Sequence, residues 1–189
     1  EVIEVYDTTK PFVAPVELNI LLQDEALAAR LQVIAVKDNE IALQYENDLL
    51  KKVLTAGRYA YWKGVVNYRF VYADISQLTI AADIDQAVLQ HVLLAPYVRS
   101  ISVESYEKAL LFVDGRYTRT LDSGVYRWWK NNITLQVVRV DLRRQQMEIN
   151  GQEILTRDKA ALRINAWAQY QVTDIEKAVL QNKEYASQL

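Results

Sequence analysis

One histidine, no cysteine and a set of regularly spaced acids bound the chemistry open to this 189-residue chain. A zinc site needs three or four converging ligands, and His91 has neither a second histidine nor a thiolate to join it. His91 therefore reads as a surface or partly packed residue. A serine nucleophile needs a base held in place by a third group. Ser123 sits in a loop stretch with nothing marking such a partner. The 5 glycines are isolated, so no loop is built to cradle a phosphate. The acids are placed more suggestively: Glu40 and Glu107, and Asp7, Asp74 and Asp141, are each 67 positions from the next (107 − 40, 74 − 7, 141 − 74). Recurrence of this kind reads as a structural job, a turn bond or an ion pair, ahead of catalysis. Trp128–Trp129 and the arginines of 139–144 could form a lipid-facing edge or a nucleic-acid groove. Tyr61–Trp62 repeats the aromatic pair, however, and Asp141, Glu148 and Glu153 lie near the arginines, so a core ring and a solvated mixed-charge face are the favoured readings. No catalytic, cofactor-binding or metal-binding residue is assigned.

The spacing of 67 extends well beyond the acids. Val36–Gln77 aligns with Val103–Arg144 without a gap. Leu54, Gly57, Tyr59, Trp62 and Lys63 fall on Leu121, Gly124, Tyr126, Trp129 and Lys130. A fixed period of this length is the mark of tandem copies of one structural unit. The expected organisation is the tail of a first unit over residues 1–30, a second unit over 31–97, and a third domain over 98–189 that departs from the others after Asp141. Glu1 falls partway through a unit, and the chain is expected to be a piece of a longer protein.

Composition agrees with packed domains: 51% hydrophobic and 24% charged residues, with only 3 prolines. The net charge of −2 gives no general reason to expect a nucleic-acid partner. No apolar run approaches the roughly 20 residues of a membrane helix, and the start of the chain does not read as a signal peptide. The absence of cysteine is compatible with a cytoplasmic or cytoplasm-facing setting.

Taken in order, Glu1–Asp7 reads as a last strand. Some helix is expected within 18–30; one alternative puts a strand at Val16–Leu22, a turn at Gln23–Asp24 and a short helix from Glu25 with Asp24 as N-cap. Strands follow at 31–36, a hairpin at 40–54 around Asn47–Asp48, and a strand at 65–72. The third domain repeats this, with its tight turn at Asp114–Gly115. Ile84–Ala95 has the pattern of a helix capped by Asp83. Past Asp141, 145–149 and 153–156 are short strand candidates and 161–172 is a long alternating strand. Thr173–Glu176 reads as a capping box. Of each aromatic pair, Trp62 and Trp129 are expected to be buried in their own units, with Tyr61 and Trp128 more exposed. The fold class is α+β: tandem β-rich units with short helices.

Three segments carry a family resemblance: YEKALLFVDGRYTRTLDSGVYRWW over 106–129, VRVDLRRQQMEINGQEILTRDKAALRINAWAQYQV over 138–172, and TDIEKAVL over 173–180. They resemble the SPFH superfamily (stomatin, prohibitin, flotillin), also called band seven, and within it the bacterial slipins. Gln152–Asp158, following Val140–Arg143, is the most specific element. The resemblance covers about residues 98–189. Ser123, Lys130 and Asn131 stand where family members often have proline nearby, and a repeat stands where stomatins carry an N-terminal hydrophobic hairpin. The resemblance implies a non-enzymatic, membrane-associated scaffold that forms homo-oligomers in the full-length protein, aided by a coiled coil beyond Leu189. The runner-up it implies is a regulatory or substrate-presenting subunit of a membrane serine protease. It implies no cofactor and no nucleic-acid partner, and a location in the cytoplasm or on the cytoplasmic face of a membrane.

Overall fold

The structure, a computed structural model, describes residues 5–82 and 84–182. It divides into two compact units, Glu1–Arg99 with Arg127–Asn132, and Ser100–Tyr126 with Ile133–Leu189.

In the first unit two short helices, α1 (Leu18–Leu21) and α2 (Glu25–Arg30), precede five strands. These are β1 (Leu31–Val36), β2 (Glu40–Glu46), β3 (Leu49–Leu54), β4 (Gly57–Trp62) and β5 (Tyr68–Asp74). β2 is the centre of an antiparallel sheet ordered β3–β2–β5, and β1 pairs separately with β4. The β2–β3 hairpin closes where Asn47 and Asp48 take φ of +49° and +64°. Two successive left-handed residues match the twist of the flanking strands, and Asn and Asp tolerate that region better than most side chains. Ile41 to Tyr45 are all buried because both faces of β2 are covered. On one face Ala42 joins Ile34, Val36, Leu54, Tyr61 and Tyr68. On the other, Ile41, Leu43 and Tyr45 pack with Ile84, Leu89, Leu94, Val98 and Trp129. Leu94 is fully buried there, and sequestering one leucine of this kind contributes about 1.5–3 kcal/mol.

The second set of strands is β6 (Val98–Val103), β7 (Glu107–Val113), β8 (Arg116–Leu121), β9 (Gly124–Trp129) and β10 (Leu135–Asp141). Every boundary lies 67 residues after its counterpart among β1 to β5. Pairing follows suit: β10–β7–β8 form one sheet and β6 pairs with β9. The irregularity between Gln44 and Tyr45 recurs between Leu111 and Phe112. Asp114 and Gly115 close the second hairpin at φ +48° and +76°. Gly57 and Gly124 open β4 and β9 at φ +151° and +150°, and Trp62 and Trp129 end them. After β10 come a long ribbon, β11 (Gln145–Leu155) with β12 (Ala161–Tyr170), and a π-helical turn at Lys177–Gln181.

Several expectations are corrected. Ile84–Ala95 is not an α-helix; it makes two 3₁₀ turns, Val88–Gln90 and Val92–Leu94. Leu89 and Leu94 must both reach the core under β2, and tertiary packing overrides the helical pattern. Asp83, its expected cap, lies outside the described residues. Residues 145–155 form one strand, with the two expected strands joined through a register shift between Ile149 and Gln152. Glu1–Glu4 lie outside the described residues, and Val5–Asp7 are not in a strand. At 173–176 it is Asp174 whose carboxylate accepts the Lys177 N–H, at 3.0 Å. Glu176 does not fold back, because its carboxylate accepts from Tyr117 (2.6 Å) and Thr120 (3.0 Å) instead.

Candidate functional site

The recurring acids hold turns. Asp74 Oδ1 accepts from the Ser76 N–H (2.8 Å) and hydroxyl (2.6 Å) where the chain leaves β5. Asp7 does the same for Thr9 at 3.0 and 2.6 Å. At Asp141 the partner is Arg143, through its N–H at 2.8 Å and its guanidinium at 3.0 Å. These bonds stabilise the carboxylate form and hold all three carboxyls below their usual range. Glu40 and Glu107 serve the turn that enters β2 and β7, accepting from the N–H of Lys37 (3.4 Å) and of Glu104 (3.2 Å). Each of these acids is a local staple of its own turn.

His91 is also a cap. Its Nδ1 accepts the Leu93 N–H at 3.2 Å and starts the second 3₁₀ turn. Asp24, its counterpart 67 residues earlier, starts α2 by accepting from Ala26 (2.9 Å) and Leu27 (3.2 Å). Ser123 is an exposed loop residue. Among the described residues no three His, Cys, Asp or Glu side chains converge on one point.

Both members of each aromatic pair are buried, which corrects the expected exposure of Tyr61 and Trp128. Tyr61 is 3% exposed, Trp62 8%, Trp128 5% and Trp129 1%. Alternation puts neighbours on opposite faces of β4, and both faces are covered. Tyr61 packs with Tyr68 and Phe70, donates its hydroxyl proton to Gln44 Oε1 at 2.8 Å, and is pushed up to about 12 by burial. Trp62 meets Phe12 and Leu31. Nor does each Trp fill the core of the segment it was expected to serve. Trp129 lies over β2 with Ile41 and Leu43, and Trp62 lies over residues before β1. Asn131 secures the first of these insertions, donating to the carbonyls of Ile75, Ser76 and Gln77 at 2.9–3.3 Å.

Two surface features could engage another molecule. A groove of about 400 Å³ runs beside β4, with Phe12, Leu18 and Tyr59 on its walls and Lys51, Lys52 and Arg58 at its rim. The second is the β11–β12 ribbon, in the other unit. Trp167 is 62% exposed, Leu155 74%, and Ile149 and Leu162 are about half exposed. The alternating pattern of 161–172 gives Trp167 no role of its own. Its cross-strand neighbour is Glu148, and Glu153 lies opposite Arg163. The arginine cluster is tied in its own way: Arg143 pairs with Asp141 and sits 3.8 Å from the centre of the Tyr106 ring. No helix among the described residues is long and apolar enough to cross a membrane.

Residues 101–188 match the SPFH domain / Band 7 family. An uncharacterised protein of Methanocaldococcus jannaschii is 34% identical over 89 residues, covering 45% of this chain and 42% of its own length. A stomatin homologue of Pyrococcus horikoshii is 36% identical over 83 residues, 44% of this chain and 30% of the relative. A stomatin homologue of Pyrococcus abyssi matches to the same extent. The chain thus spans less than half the length of the curated relatives it matches. These similarities support an SPFH-superfamily reading of the region that holds β7 to β12.

Proposed function

We propose that this chain belongs to a non-enzymatic scaffold of the stomatin-like, slipin type that organises a membrane-associated complex. The SPFH likeness of residues 101–188 carries the reading. The β11–β12 ribbon adds to it, because it puts large apolar side chains, Trp167 and Leu155 above all, in contact with solvent. Large aromatic and aliphatic groups exposed together on one ribbon are typical of contact surfaces. In this reading residues 1–30 are the tail of a first unit, 31–97 a second unit of the same design, and 98–189 the SPFH-like domain. The protein self-associates, and its membrane contact is indirect, through the assembly, or lies outside this segment. A membrane serine protease is a partner class compatible with the same surface.

The test is mass and membrane recovery of the full-length protein with Trp167→Glu and Leu155→Lys together. The expected result is a lower assembly mass by light scattering and less protein in the membrane fraction, with an unchanged circular dichroism spectrum. Unchanged mass and recovery would remove the ribbon from the reading. Peptide hydrolysis that survives repurification and is lost in Ser123→Ala would overturn the non-enzymatic assignment.

A further inference from the structure

The core around Trp129 and the one around Trp62 share one plan up to a point. Residues Val88, Leu89, Leu94 and Val98 pack with Trp129. Their counterparts 67 residues earlier, Leu21, Leu22, Leu27 and Leu31, pack with Trp62. Each set follows the same local logic: a capped turn, started by His91 or Asp24, presents leucines to the tryptophan that ends the next ribbon. The Trp129 set is closed by a sheet, through Ile41, Leu43 and Tyr45 of β2 and Val71 of β5. Among the described residues the Trp62 set is closed by Tyr6, Ala14, Leu18, Ala60 and the ring of Phe12, which meets Trp62 edge-on at 5.2 Å.

Exposure records the difference. Leu89 and Leu94 are 4% and 0% exposed, whereas Leu22 and Leu27 remain partly exposed. Ile80 packs against the Trp129 core, while its counterpart Val13 is 78% exposed. Ile20, beside Leu21, is 57% exposed. Partly exposed Leu22 and Leu27, with exposed Val13 and Ile20 near them in sequence, leave apolar area in water that the Trp129 set buries, and such area is suited to apolar cover.

We infer that the face carrying Val13, Leu22, Leu27 and Trp62 is the seat of a three-stranded sheet of the β3–β2–β5 kind, supplied by a further unit of the same design ahead of it on the 67-residue grid. This rests on the unit reading proposed above and deepens it. The occupant's chemistry follows from the covered copy: a central strand presenting branched and aromatic side chains at alternate positions, as Ile41, Leu43 and Tyr45 do, with a short hairpin beside it. The ladder polar groups of such a sheet are satisfied internally, so it can lie on this face without leaving backbone groups unpaired. The units ahead of β6 would then follow one rule, each sheet receiving the next unit's terminal tryptophan.

The test extends the full chain at its N-terminus with a second copy of residues 34–67, which places that copy's Asn67 directly before Glu1 and continues the grid. Amide hydrogen exchange is read at 20–31. At least a tenfold slowing is expected relative to the unextended chain. No slowing is expected when the added copy carries Ile41→Asp and Leu43→Asp. Equal exchange in all three chains would overturn the inference. Slowing in the unextended chain that grows with concentration, together with a doubled mass, would assign the face to a second molecule and also overturn it. Trp129→Ala, read at 88–98, separates the two levels. Faster exchange there supports the unit reading whatever the extension does, and unchanged exchange means that the unit reading itself has failed.

Discussion

The sheets β3–β2–β5 and β8–β7–β10 have the same order, the same hairpin turn and the same register irregularity, yet different elements cover them. Over the first lie two 3₁₀ turns and Trp129. Over the second, Leu110 and Val140 are covered by Ile175, with Val172 and Val179 beside it. The turn chemistry and apolar alternation of a hairpin are local and suffice to build the sheet. What the sheet then buries against is a separate matter, and two unrelated covers satisfy it. Fold identity in such a chain lies in the sheet, and individuality lies in the cover.

The comparison sharpens when each cover is broken. Trp129→Ala should cost about 3–5 kcal/mol, read as a fall in urea midpoint, and a loss under 1 kcal/mol would mean that the ring is not the keystone of its core. Ile175→Ala should cost about 2–4 kcal/mol and loosen β7 and β10 without disturbing β2 and β5. Hydrogen exchange distinguishes that from a global effect. His91→Ala should cost about 1 kcal/mol through loss of a cap, while His91→Asp, the residue type found at position 24, should restore it. A melt in which the aspartate variant is as weak as the alanine would separate the two turns in kind.

Two pH effects are smaller. Burial raises the Tyr61 hydroxyl to about 12. Its contribution is therefore complete below the ordinary tyrosine value near 10 and is lost as pH rises toward 12. Tyr61→Phe should flatten this alkaline decline in a series of thermal melts. Asp74 is lowered by its bonds to Ser76, so its contribution is present above the unfolded carboxylate value and fades as pH falls through the folded one. Asp74→Asn should make the acid limb shallower.

Much of this plan was legible in the residues. Asn47–Asp48 and Asp114–Gly115 announce left-handed turns by their types, and Asp24 caps α2 where one sequence reading put it. The SPFH likeness was carried by contiguous segments. The covers were not legible in the same way. Alternation along β4 and β9 says that neighbours face opposite ways, but not that both directions lead to a core, so it makes Tyr61 and Trp128 read as the more exposed of each pair. Periodicity over 84–95 could not show that Leu89 and Leu94 would be drawn under β2 and tighten the backbone into 3₁₀ turns. Nor can spacing along the chain reveal which sheet a terminal tryptophan will reach. The turn bonds of the recurring acids were legible because each of those bonds spans only two or three residues.

The compact unit that begins the chain is not finished where its continuous stretch ends, at Arg99; it takes back Arg127–Asn132 after an excursion into the other unit. During synthesis this imposes a delay. At roughly 5–20 residues per second, some seconds pass between emergence of the last residue of β5 and emergence of the ring that closes the space above it. For that interval Ile41, Leu43 and Leu94 have no Trp129 to meet. A ribosome stalled between those points would hold a nascent chain whose first unit is complete in strands but open on one side, and so a candidate for chaperone capture.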